Sequence, residues 1–224
     1  MKKDLSWKNP YIERVNSIPE ILLSGQNNQL SAIQLDQVRQ KTQLFSAVFL
    51  ELGSGSGRHL IQLAQQNSKC LYIGVELRYK RAFKTAEKAK NLGLENLIVL
   101  RVNALKSQEL FLVGTISGVY VNFPDPWEKN RWKKHRLLSE DSLKWISLIL
   151  IEGGFLAYKT DHLSYFEDTV KLISSLKSFD LALLIHDLNN NSASQANIQT
   201  EFEKLFNSKG LPVYFLKALK KSAD

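Results

Sequence analysis

Residues 48–57, V-F-L-E-L-G-S-G-S-G, constrain this chain more than any other stretch. Residues 48–52 are apolar except for Glu51, the pattern of a buried strand. Gly53, Gly55 and Gly57 follow at alternate positions, and residues 58–66 carry apolar side chains at 60, 61, 63 and 64, which suits a helix. Strand, glycine turn and helix in this order open a nucleotide-type site, because glycine reaches positive φ and lets a ligand approach the backbone. A dinucleotide fingerprint needs G-x-G-x-x-G, and counted from Gly53 its third glycine falls on Arg58, so that pattern fails. What stands instead is E-x-G-x-G-x-G, from Glu51 to Gly57. Taken alone, it also fits an ordinary tight turn in an α/β protein.

Beyond the turn the pattern repeats. Residues 71–76 form a second apolar strand ending in Glu76, residues 78–91 suit a helix stopped by Gly93, and residues 97–102 form a third strand. Alternating strands and helices predict a parallel sheet with helices on both faces. Glu76, about 20 residues past the glycine turn, stands where nucleotide folds place a ribose-binding carboxylate. NAD enzymes use the same device, and a solvated strand-end acid is the plainer alternative. Asn103 follows the third strand and can both accept and donate at a base edge.

The fourth apolar strand runs into F-P-D-P-W, residues 123–127, and then a basic stretch with Lys129, Arg131, Lys133, Lys134 and Arg136. Prolines on both sides of Asp125 deny helix there and hold its carboxylate beyond the strand end, where open α/β sheets place their sites. Basic residues interleaved with Trp127 and Trp132 suit a phosphate backbone and a stacked base, against the alternative of a solvated charged face. A fifth strand over residues 151–161 ends in Thr160 and Asp161. A helix over 163–176, a sixth strand over 181–185 and a long, polar, mobile loop over 187–197 follow. T-E-F-E at 200–203 reads as a capping box, with a last strand over 210–218.

The E-x-G-x-G-x-G stretch resembles the first motif of class I S-adenosylmethionine-dependent methyltransferases. The F-P-D-P-W stretch is more specific: the chain resembles the bacterial tRNA (guanine-N7-)-methyltransferases, whose pattern here is close to F-P-D-P-W-P-K-K-R-H-H-K-R-R. Phe123 to Trp127 match in full, Lys129, Arg131, Lys134 and Arg136 match in place, and Glu128, Asn130, Trp132, Lys133 and His135 depart. Thr160-Asp161 and, except for Glu201, the T-E-F-E stretch also match. The resemblance covers residues 45–218. It implies a Rossmann-like α/β fold, a seven-stranded mostly parallel sheet with an antiparallel last strand. It implies S-adenosylmethionine held by Glu51, Gly53, Gly55, Gly57, Glu76, Asn103 and Asp125, with Asp125 also catalytic. The family usually carries Asp where Asn103 stands. It implies tRNA held by Lys129, Arg131, Lys133, Lys134, Arg136, Asp161, Thr200, Glu201, Phe202 and Glu203, with methyl transfer to N7 of the variable-loop guanine, position 46 of tRNA.

The net charge of +8 agrees with a polyanionic partner. One cysteine, Cys70, excludes an internal disulfide and a cysteine zinc cluster, and the four histidines show no ligand spacing, so no metal is expected. No apolar h-region or membrane-length run is present, and a cytoplasmic protein without membrane attachment, monomer or homodimer, is expected. Residues 1–40, rich in Asn, Gln and Ser, read as an N-terminal extension with loose or short structure, tacked on by Trp7, Tyr11 and Ile12, ahead of a methyltransferase domain over 41–224. Three other readings stand beside this one. An NAD-dependent oxidoreductase is opposed by Arg58 in the glycine position and by the lack of Tyr-x-x-x-Lys after the fourth strand. A methyltransferase for protein or small molecules is opposed by the charge, and a non-catalytic RNA-binding module requires that S-adenosylmethionine not bind.

Overall fold

A computed structural model describes residues 9–192, 195 and 197–222, with the side chain of residue 108 left out. In chain order the elements are α1 (Tyr11–Arg14), β1 (Leu22–Ser24), α2 (Ala32–Gln43), β2 (Ala47–Leu52), α3 (Arg58–Gln66), β3 (Cys70–Val75), α4 (Tyr79–Asn91) and β4 (Leu97–Arg101). Then come β5 (Ile116–Asn122), α5 (Glu140–Ile149), β6 (Leu150–Thr160), α6 (Leu163–Ser175), β7 (Phe179–Ile185), α7 (Glu201–Asn207) and β8 (Tyr214–Lys220). The strands form one sheet in the order β1-β4-β3-β2-β5-β6-β8-β7. Every pairing is parallel except the two made by β8, which slots between β6 and β7. Strand order reverses between β2 and β5, so the crevice for a ligand opens at their C-terminal ends.

Both faces are covered. In β3 the side chains of Leu71, Ile73 and Val75 join the core shared with α5 and α6, through Leu143, Ile146 and Phe166. The alternate residues Cys70 and Tyr72 join the core of the other face, with Leu60 of α3 and Phe83 of α4. Two-residue periodicity divides one strand between two cores, and strands buried on both faces read as continuous apolar runs. Each fully buried leucine or isoleucine stabilises the fold by about 1.5–3 kcal/mol relative to an exposed one.

The sheet has eight strands where seven were expected. The extra strand comes from the segment read as a loose extension: β1 pairs in parallel with β4, Leu22 opposite Val99. Val15, Ile18, Ile21 and Leu22 pack into the α3–α4 core. Arg101 holds the turn after β1. Its Nε donates to Ser24 Oγ at 2.6 Å, Nη1 donates to Asn28 Oδ1 at 3.0 Å, and its guanidinium lies 4.1 Å over the Tyr79 ring. The boundary expected after residue 40 falls inside α2, which starts from a Ser31–Gln34 capping box. Trp7 lies outside the described residues. So do residues 193, 194 and 196 of the polar loop, whose residue Leu188 is buried. No described helix is long and apolar enough to cross a membrane.

Candidate active site

Gly53, Gly55 and Gly57 all take positive φ, at 77°, 58° and 75°. At Gly57 space is also short: a Cβ there would lie 2.2 Å from Thr85 Cγ2, so glycine lets α3 start against α4. The turn is tied to the next strand. Gly53 and Ser54 donate their N–H groups to the Val75 carbonyl at 2.9 and 3.0 Å. Glu76 Oε2 accepts from Gly55 N at 2.9 Å and Oε1 from Arg78 N at 2.7 Å. Glu76 therefore locks the glycine turn to the start of α4, and each carboxylate oxygen keeps a lone pair for a ribose hydroxyl.

A cavity of about 500 Å³ opens over this turn. Glu51, Arg58, Glu76, Asn103, Asp125 and Phe202 are among the residues that line it, so both sequence motifs face one space. Glu51 is 2% exposed. Its Oε1 accepts from Asn122 Nδ2 at 2.7 Å and lies 3.3 Å from His59 Nδ1. Its Oε2 is buried without a partner, and so are Ser54 Oγ and Arg58 Nε. An unpaired buried acceptor and unpaired donors are costly in isolation. They fit S-adenosylmethionine, whose amino-acid end offers an ammonium to the carboxylate and a carboxylate to the guanidinium and hydroxyl. Asn103 caps the turn after β4, its Oδ1 accepting from Leu105 N at 3.0 Å. Its amide hydrogens are the part left for a ring nitrogen.

Asn122 ends β5, and the chain then kinks through Phe123 at φ 49°, with Trp127 at φ 43° closing the F-P-D-P-W segment. Two non-glycine residues in the left-handed region cost about 1–3 kcal/mol each and persist because the surroundings hold them. Phe123 N donates to Lys159 O at 2.8 Å, and its ring packs at a tilt against Phe202 and Phe206 of α7. Arg136 Nε donates to Pro126 O at 2.8 Å. Between these anchors Asp125 and Trp127 stand exposed at the cavity wall.

The basic residues divide. Lys129, Arg131 and Lys134 are exposed, with Lys129 and Arg131 flanking the Trp132 ring at 4.8 and 5.0 Å. Arg136, expected to grip tRNA, is 5% exposed. It pairs with Asp168 at 2.7 Å and lies 4.3 Å over the Tyr165 ring, so its charge is spent inside the protein. Lys133 shares Asp168 at 3.0 Å. Chiefly through the Arg136 hydrogen bond, Asp168 is held below the usual carboxylate range.

Glu203, also expected at the substrate, is fully buried. Its Oε2 accepts from Lys159 Nζ at 3.0 Å and from Thr200 N at 3.2 Å, and Thr200 Oγ1 accepts from Glu203 N at 3.0 Å. Asn197 completes this cluster, accepting from Lys159 and donating to Glu203. Glu203 thus holds α7 to β6, with both carboxylate oxygens already engaged inside the protein. Burial lowers the Lys159 pKa, against the raising effect of Glu203. Thr200, Glu201 and Phe202 do line the cavity. Asp161 is exposed at the end of β6, outside that lining.

Sequence reasoning passed over Lys159, Asn122 and His59. Only Lys159 carried a signal, a lysine directly after the apolar run 155–158 of its strand. No group of three or more His, Cys, Asp or Glu among the described residues is placed to hold a metal ion.

A family model described as "Putative methyltransferase" matches residues 46–216. The chain is 33% identical over 215 residues to a tRNA (guanine-N(7)-)-methyltransferase of Staphylococcus aureus, covering 95% of this chain and 94% of that protein. It is 35% identical over 178 residues to a bifunctional glycosyltransferase/methyltransferase of Fusobacterium nucleatum, covering 76% of this chain but only 28% of that longer protein. Among solved structures, a 16S rRNA methyltransferase, KamB, superposes with a TM-score of 0.63 at 18% identity, covering 87% of this chain and 95% of that one. At that identity the likeness shows the shared fold.

Proposed function

Because this chain belongs to the tRNA (guanine-N7-)-methyltransferase family, we propose that its cavity brings S-adenosylmethionine and the variable-loop guanine of tRNA together for methyl transfer to N7. One observation carries the reading. Glu51 and Arg58, each with a buried unpaired polar atom, line the same cavity as Asp125 and Trp127.

S-adenosylmethionine, when bound, supplies a methyl group on a sulfonium. Guanine N7 carries a free lone pair and no proton, so no residue has to act as a base toward it. The chain's task is alignment, and proximity and orientation supply up to about 7–11 kcal/mol of barrier reduction. The methylated guanine is cationic, and a carboxylate at its N1 and N2 edge favours the transition state electrostatically. Asp125 fills that role, held between the Phe123 kink and the Arg136–Pro126 bond. The same carboxylate lines the cavity and can also face the cofactor. Asp161 is a second acid for the guanine. Lys129, Arg131 and Lys134 meet the phosphates, Trp127 offers a stacking face, and Thr200, Glu201 and Phe202 form the lip from α7. A cytoplasmic location agrees with a tRNA substrate.

The test is methyl transfer from labelled S-adenosylmethionine to unmodified bulk tRNA, with nucleoside analysis. The expected product is 7-methylguanosine, lost in Asp125→Ala. A protein that binds the cofactor and leaves tRNA unlabelled would overturn the substrate assignment.

A further inference from the structure

Asn122 is the last residue of β5, immediately before the Phe123 kink, and no motif marks it. Its Nδ2 lies 2.7 Å from Glu51 Oε1 and 3.3 Å from His59 Nδ1. An amide nitrogen has two hydrogens, and one meets Glu51 Oε1. His59 Nδ1, 3.3 Å from that same oxygen, accepts the other when its proton is on Nε2 and donates to Glu51 itself when its proton is on Nδ1. In either tautomer Oε1 is the oxygen held. The flipped amide would set a carbonyl oxygen against the Glu51 carboxylate, so the contacts select this orientation. His59 is itself fixed, 6% exposed, with its ring edge-on to Tyr120 at 5.0 Å.

The terminal torsion of a glutamate is broad, and an unheld carboxylate can swing to whatever donor is near. Here one oxygen is pinned from behind while the other is buried and unpaired. We infer that Asn122, backed by His59, is a positioning residue that aims Glu51 Oε2 at the α-ammonium of the cofactor, so that the site selects for that amino group. This rests on the reading that the cavity takes S-adenosylmethionine. Asn122 touches neither the methyl group nor the guanine in this scheme and acts only through Glu51.

The test is calorimetric binding of S-adenosylhomocysteine and of its analogue with hydrogen in place of the α-amino group. The wild type is expected to prefer the amino ligand by about ten- to a hundredfold, the size of one hydrogen bond to a charged group. In Asn122→Ala that ratio should fall to within about threefold, with the deaminated analogue bound nearly as in the wild type, since only the contact to the charged amino group is lost. Parallel weakening of both ligands, with the ratio kept, would overturn the inference and leave Asn122 a scaffold residue. His59→Phe keeps a ring on Tyr120, removes the nitrogen, and must lower the same ratio, which covers the case where Asn122→Ala does not fold. A wild type that binds both ligands equally would overturn the inference while leaving the methyl-transfer reading standing. A wild type that binds neither would overturn both.

Discussion

The cavity has two walls of opposite character. On the β2–β4 side, Glu51 and Glu76 are 2% and 7% exposed, and each carboxylate is tied to its neighbours by hydrogen bonds. On the β5–β8 side, Asp125 is exposed at the cavity and Lys129, Arg131 and Lys134 are exposed on the loop beyond its lining, after the kinks at Phe123 and Trp127. The first wall suits a small ligand of fixed shape, because its polar atoms are desolvated and aimed before the ligand arrives. The second suits a large polyanion, whose contacts are many, solvated and salt-dependent. On the loop after β5 and on α7 burial separates charges that look alike in sequence. Arg136 and Glu203 are buried and hold the loop and α7, while Lys134 and Glu201 are exposed.

The largest expected effect is at Asp125. Asp125→Ala should lower kcat/KM for tRNA by about 10²–10³, the size of one lost electrostatic group at a transition state. Asp125→Asn with wild-type kcat/KM at every pH would remove that residue from the mechanism.

Next come the two acids of α7. Glu203→Ala strands the Lys159 ammonium and should cost about 3–5 kcal/mol of stability. Glu201→Ala, two residues away on the surface, should stay within about 0.5 kcal/mol. Thermal melts decide it, and equal Tm values for the two variants would erase the contrast between buried and open acids.

The basic stretch gives a smaller and sharper split. Lys134→Ala should flatten the dependence of log Kd for tRNA on log salt by about 0.7–0.9 and leave Tm alone. Arg136→Ala should lower Tm and keep the slope. Exchanged outcomes would mean that Arg136 turns outward to the phosphates.

The smallest effect is in acid. Asp168 has its pKa lowered in the fold, so it contributes stability above its ordinary value, and that contribution is lost as pH falls toward the lowered one. Wild-type stability should therefore drop below about pH 4, and Asp168→Asn should show a shallower drop over that range. Identical acid profiles would show that the pairs with Arg136 and Lys133 carry no pH-linked stability.

Much of this was legible in the chain. Strands 48–52, 71–76 and 97–102 and the helices after the first two could be read because apolar periodicity and glycine positions are local, while the antiparallel sense of the last strand came only with the family resemblance. Three residues were too few for β1 to show any period, and its strand status comes from pairing with β4. α5 was missed because its capping box closes with Ser142 in place of the usual Glu or Gln.

By itself the sequence determined the doubly wound sheet, the glycine turn and the stiff P-D-P, because each follows from the backbone preferences of residues close together in the chain. Only the tertiary structure decided which charges are free. Whether Arg136, Lys133 and Glu203 face a substrate or a partner depends on Asp168, Pro126 and Lys159, which stand tens of residues away in most cases. A charge costs too much to bury alone, so its availability is set by what the fold brings against it.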